Sequence, residues 1–323
     1  MSATAFDGYP AYVQLPVLAP TGARHAWGVF GDSDELGTLN WITPESVVAA
    51  AATVAVGRVV NLSLPLTVPD PPLVPSRKAI SHVVVRSRGG RDDRLDNFYL
   101  QTSSQWDGLQ HVRYREHGYW GGRGDDTLDS GALGIDRIAQ HGVVGRGVLV
   151  DVSAFMNAVG SAVDPTMRVV ISPSTLDEVL AWEGIALKRG DIVLIRTGWM
   201  AWYLKLTQED RASLAGRLHT GDDGLNTPGL DPEWRSAEWI WDHRLAAVAA
   251  DNPALEALKV DRSVGFLHRL LIPLLGLTIG ELWDLEELSE ACRDYGRYSF
   301  FITSAPLNLP SGVGSPANAY AIF

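Results

Sequence analysis

Apolar positions in the middle of the chain recur with two spacings that take turns. DRIAQHG has helical spacing and GRGVLVDVSAF reads as a strand; STLDEVLAWEG is again helical, with Ser174 as its expected cap. KRGDIVLIRTG follows, and its apolar core IVLI does not alternate with polar residues, which predicts a strand buried on both faces. A helix is expected around Glu233 to His243, then a strand at LAAVAAD. Two more helices (FLHRLLIPLL and DLEELSEACRDYG) and a strand, YSFFITSAPLNL, complete the pattern. Helices alternating with strands imply parallel pairing through crossover helices, so the fold class is α/β.

The front of the chain reads differently. Thr43 can cap a helix with Pro44 in its first turn, and Gly57 stands where such a helix would stop. The Ala/Val-rich run between them predicts a buried helix. Strand-like runs VVNLSLPL, AISHVVVRSR and NFYLQTSS follow, separated by the turn signals PDPP and RGGRDD. RGGRDDRLD reads as a solvated hairpin loop.

Composition narrows the function classes. The formal net charge of -11 and the lack of a basic stretch argue against nucleic acid and against an anionic membrane surface. A single cysteine, Cys292, excludes an intrachain disulfide. MSATAFDGYP lacks a basic segment followed by an apolar run, and no apolar stretch approaches the roughly 20 residues that span a bilayer. A cytoplasmic protein acting on a small molecule is the expectation.

Chemistry-bearing side chains crowd the stretch QTSSQWDGLQH. Gln101, Gln105, Asp107 and His111 fall together directly after a predicted strand, where α/β folds place catalytic loops. Asp107 and His111, four apart, suit an acid–base pair or two metal ligands. The spacing alone fits equally well a surface loop with a capping Asp and a solvated His.

This stretch resembles the signature H-x-G-T-H-x-D-x-P-x-H of the cyclase family, which includes kynurenine formamidases and isatin hydrolases. The signature's first and second His fall on Gln101 and Gln105, its Asp on Asp107, its Pro on Leu109 and its last His on His111. DSDELGTLN, LKRGDIVLIRTGW, AADNPALE, FLHRLLIPLLGLTIGELWDLEEL and GVGSPANAYA resemble further family segments in family order. The resemblance implies a single swivelling β/β/α-type domain over residues 1–323, with residues 1–26 as an N-terminal extension, and a homodimer or homotetramer.

The resemblance also implies a metal site, here altered. Imidazole binds zinc or manganese well and a neutral carboxamide poorly, so Gln101 and Gln105 should remove one of two family metal positions. Asp107, His268 and Glu281 match the ligands of the other and imply at most one divalent metal, Zn or Mn, with His111 as proton shuttle. Trp106 is expected to stack on an aromatic substrate, with Gln101 and Gln105 as further substrate contacts. His268 could equally be a satisfied core histidine, and Glu281 could simply favour the N-terminus of the acidic helix that follows. Asp251 is expected to cap a helix beginning near Pro253. The remaining histidines, His219 among them, are expected to be structural or solvated.

Three functions stay open on these residues. One is a hydrolase of a cyclic amide, a lactone or an N-acyl or N-formyl arylamine. Another is a metal-independent cyclase or dehydratase with Asp107 and Glu281 as acid and base. The third is a small-molecule binder without catalysis.

Overall fold

The computed structural model describes residues 8–218, 223–260 and 265–323; His219 lies outside the described residues. A nine-stranded sheet organises them. In spatial order its strands are Gly314–Pro316, Gln105–Asp107, Thr278–Glu281, Ala247–Ala250, Ile192–Ile195, Val143–Val150, Ser299–Ser304, Ala319–Ile322 and Val59–Asn61. The middle four, from Thr278–Glu281 to Val143–Val150, pair in parallel, as the alternation of helices and strands predicts. The flanking strands are antiparallel.

The unbroken apolar run IVLI now has its physical reason. Val193 and Ile195 pack into one core with Val148, Val150, Val248 and the helices Pro173–Glu183, Trp234–Asp242 and His268–Leu275. Ile192 and Leu194 pack into a second core on the opposite face, with Trp106, Trp283, Phe300 and the helix Glu286–Tyr295. A strand that faces two cores has no polar side to show. Three described residues before Trp27 belong to the first core: Tyr12, Leu15 and Ala26 are buried, and the Trp241 indole N–H donates to Pro10 O at 2.9 Å.

Several local expectations are corrected. The helix after Thr43 spans Pro44–Ala51, is capped by Thr43, and ends well before Gly57. It lies on the surface, with Val48 70% exposed and Ala50 its one buried residue. The cap of Pro173–Glu183 is Ser172, one residue before the proline that occupies the first helical position; Ser174 is inside the helix. NFYLQTSS forms turns, and the strand in this region is Gln105–Asp107. RGGRDDRLD is not a loop throughout: Arg91–Asp96 pairs with Ser81–Arg86 in a hairpin separate from the main sheet. Among the described residues no helix is long and apolar enough to cross a membrane.

Candidate active site

Strand alternation selects which side chains reach the site. Gln105 and Asp107 point to one face of their strand and Trp106 to the other. Thr278–Glu281 runs antiparallel beside it with Glu281 opposite Gln105 and Gly280 opposite Trp106. Trp106 therefore enters the second core, edge-on to Trp283 with ring centroids 4.8 Å apart, and its N–H donates to Ser304 Oγ at 2.8 Å. Gly280 makes room for this pair, since a Cβ there would lie 2.6 Å from the Trp283 ring nitrogen. Trp106 is fully buried on the face away from the cavity, so its expected stacking on substrate is excluded.

On the other face, side chains from five segments converge. Asp107 and Glu281 come from the two neighbouring strands and His268 from the first turn of its helix. His111 follows a turn closed by its N–H on Gly108 O, and Glu256 comes from the segment after Ala247–Ala250. Ligand atoms of Asp107, His268 and Glu281 all lie within 4.8 Å of one another, and all three residues are buried. Gln101, Gln105, His111, His268 and Glu281 border a cavity of about 620 Å³ whose other walls include Leu73, Val74, Phe266 and Leu282.

Each of the three converging groups is held by one outside partner. The Gln101 amide N–H donates to Asp107 Oδ1. Gln105 donates to Glu281 Oε2 at 2.7 Å. The Glu256 carboxyl takes His268 Nδ1 at 2.7 Å. A carboxylate only accepts, so these contacts fix the amide nitrogens of both glutamines toward the acids. The atoms left over face one another: His268 Nε2 is 2.9 Å from Glu281 Oε1 and 3.9 Å from Asp107 Oδ2. The two glutamines thus spend amide donors on the acids rather than on a substrate carbonyl.

The electrostatics follow from burial. Burial opposes the charged form of His268, but Glu256 and Glu281 outweigh it and hold its pKa well above the ordinary value. Burial and the neighbouring Asp107 push the Glu281 carboxyl up to about 7. For His111 burial again leads and lowers the pKa; His268 and Arg77 act in the same direction and Asp107 against them. Its Nδ1 lies 2.9 Å from the Gln101 amide nitrogen, which places the ring proton on Nε2, 3.6 Å from Asp107 Oδ2.

The donor set fits a divalent cation. Three buried carboxyl groups face one imidazole, an excess of negative charge that burial makes costly without a counter-charge. Asp107 Oδ2 is buried without a hydrogen-bond partner. One imidazole nitrogen and two carboxylate oxygens are a three-ligand set that leaves a position open. The Glu256–His268 contact is the carboxylate–histidine pairing that orients a ligating ring.

Other expectations fall elsewhere. Asp251 caps no helix near Pro253: its carboxylate accepts from Thr197 N–H and Oγ1 and from Gly198 N–H, tying two strand ends together. Glu281 ends a strand and faces the cavity rather than the following helix. In the closing GVGSP segment, Gly314 pairs with Asp107 and a Cβ on it would lie 2.8 Å from Gln101 Cγ, so this glycine lets Gln101 lie over the strand. Sequence reasoning missed two residues. Glu256 stands inside AADNPALE, where Asp251 at the end of the expected strand carries the stronger signal. Arg77, which borders the cavity, lies in a proline-rich stretch that carries no periodic signal.

Comparison with known proteins places this geometry. The family model described as "Putative cyclase" matches residues 60–257. A solved structure described as a novel cyclase superposes with a TM-score of 0.80 at 33% identity, over 93% of this chain and 99% of that one. Isatin hydrolase A from Labrenzia aggregata, solved with benzyl benzoate, gives 0.59 at 18% identity over 86% of this chain and 98% of its own. Isatin hydrolase A from Ralstonia solanacearum gives 0.56 at 18% over 87% and 97%. At that identity the two hydrolases share the fold. No curated protein matches the chain significantly. With one family model over more than half its length and a third of its residues identical to a cyclase along nearly all of it, this chain belongs to the cyclase family.

Proposed function

We propose that this chain is a hydrolase that opens a cyclic amide or lactone, or cleaves an N-acyl or N-formyl arylamine. The observation that carries this reading is the convergence of Asp107, His268 and Glu281, the last two at the wall of a cavity sized for a small organic molecule. Isatin hydrolases share the fold, which agrees with it. A divalent cation held by these three residues would supply Lewis-acid activation of water and of the scissile carbonyl.

The chain's own residues prepare that chemistry. His268 Nδ1–H donates to the Glu256 carboxylate, which leaves Nε2 as the ligating nitrogen. Gln101 and Gln105 each occupy one carboxylate oxygen and leave the other turned inward. They stand where the family signature has histidines, and a carboxamide there serves as an orienting donor rather than as a second ligand set. His111, with its pKa lowered and its proton on Nε2, is the group that exchanges protons with the bound molecule. Leu73, Val74, Phe266 and Leu282 offer apolar wall to the organic body of a substrate.

Asp107→Asn tests the reading. Against a panel of aryl formamides, lactones and isatin, the variant is expected to lose kcat by at least about 10²- to 10³-fold while keeping the wild-type circular dichroism spectrum. Near wild-type turnover by the variant rules the reading out. A wild-type enzyme that is fully active after chelation instead favours the metal-independent use of Asp107 and Glu281 as acid and base, a reading supported by the Glu281 carboxyl standing near 7.

A further inference from the structure

Arg77 is a cation in a cavity otherwise built around carboxylates. It lies in the loop after Pro72, which is pinned by Gly216 N–H on Pro72 O at 3.1 Å and by Leu218 N–H on Leu73 O at 2.9 Å. Its side chain borders the same cavity as Glu281 and His268. Among the described residues its one side-chain hydrogen bond goes from Nη1 to the Gln101 carbonyl. No described carboxylate lies within ion-pair distance of it, and none of its nitrogens is sealed away from solvent without a partner. A guanidinium offers five donors in a planar fork that matches a carboxylate. With one donor spent on Gln101 O, the others remain for a ligand.

Position decides what that ligand is. Asp107 and Glu281 act on Arg77 electrostatically without pairing with it, and burial weakens its charged form. A half-buried cation held in this way is stabilised most by an anion that enters the cavity. The exposed Arg269 borders the same space and adds a second positive charge. Leu73, Val74, Phe266 and Leu282 add apolar wall to the same cavity.

We propose that Arg77 is a specificity-determining residue that binds a carboxylate on the substrate, so that the substrate is a small, largely apolar molecule with a carboxylate at one end and the scissile amide or ester at the other. This rests on the hydrolase reading for the scissile bond, but the binding of the anion can be measured without turnover.

The test is calorimetric titration of the full-length protein with benzoate and with its neutral counterpart benzamide, before and after chelation. Wild-type protein is expected to bind benzoate at least about tenfold more tightly than benzamide, the low end of a charge-assisted contact. Arg77→Gln is expected to weaken benzoate by about 10- to 100-fold and to leave benzamide unchanged, with Arg77→Lys in between. Equal binding of the two probes by wild type, or no benzoate binding at millimolar concentration, overturns the proposal even if Arg77→Gln fails to fold. So does a folded Arg77→Gln that binds benzoate like wild type, including the case in which chelation alone removes the anion and so assigns it to a metal. Benzoate binding that survives chelation and depends on Arg77 supports the proposal, and it does so even where Asp107→Asn has refuted the hydrolase reading.

Discussion

Glu256 and His268 are locked side by side: His268 Nδ1 lies 2.7 Å from Glu256 Oε2, and both side chains are buried. The contact settles which imidazole nitrogen is available to the cavity. With Nδ1 committed to Glu256, Nε2 is the atom that faces Asp107 and Glu281. Glu256 also has a second carboxylate oxygen that is buried without a hydrogen-bond partner, so its purpose is directional rather than a general share in a polar network.

Glu256→Gln should therefore loosen metal binding without dismantling the site. Removing such an orienting partner costs about 10- to 100-fold in metal affinity. Competition titration of zinc or manganese against a fluorescent chelator measures it. Unchanged affinity would assign Glu256 to packing alone.

Trp106 is expected to matter for stability and not for substrate. Trp106→Phe removes the hydrogen bond to Ser304 and part of the contact with Trp283, which should cost about 1–3 kcal/mol in chemical denaturation. KM is expected to stay unchanged. A raised KM with unchanged stability would return Trp106 to the substrate pocket.

Glu183 should make stability depend on pH. Burial pushes its carboxyl up to about 8; the Asp151 N–H it accepts pulls the other way, and Oε2 is buried without a partner. Because the folded pKa lies above the unfolded one, the folded state binds the extra proton between the two values. This contribution is fully present below about pH 4.5 and is lost as pH rises through about 8. Glu183→Gln keeps the neutral shape, so its Tm should fall less than that of wild type between about pH 5 and pH 8. Parallel Tm profiles for the two proteins would show that the carboxyl does not titrate in this window.

What the sequence revealed, and what it hid, has a physical pattern. The two-faced strand around Ile192 and the cap at Thr43 were legible because burial and capping are local. Asp107 and His111 drew notice by their spacing, whereas His268 and Glu281 were legible only through the resemblance to the cyclase family, since contacts across more than a hundred residues leave no spacing to read. Trp106 misled because alternation along Gln105–Asp107 depends on knowing that the segment is a strand, whereas the preceding run NFYLQTSS carried the stronger strand signal. Glu256 and Arg77 were hidden because an orienting acid and a loop cation acquire meaning only from their neighbours in space. The glutamines were read as lost ligands, and their donation to Asp107 and Glu281 required the register between two strands far apart in sequence.

The proposed hydrolase has one metal position, built by Asp107, His268 and Glu281 and oriented by Gln101, Gln105 and Glu256. Elemental analysis of protein purified without chelator or nickel affinity tests it most directly. The expected result is a stoichiometry near one zinc or manganese per chain that falls away in Asp107→Asn, because two cations about 3.5–4 Å apart need more charged ligands than this site supplies. Two ions per wild-type chain, or no ion in a fully active enzyme, would contradict it.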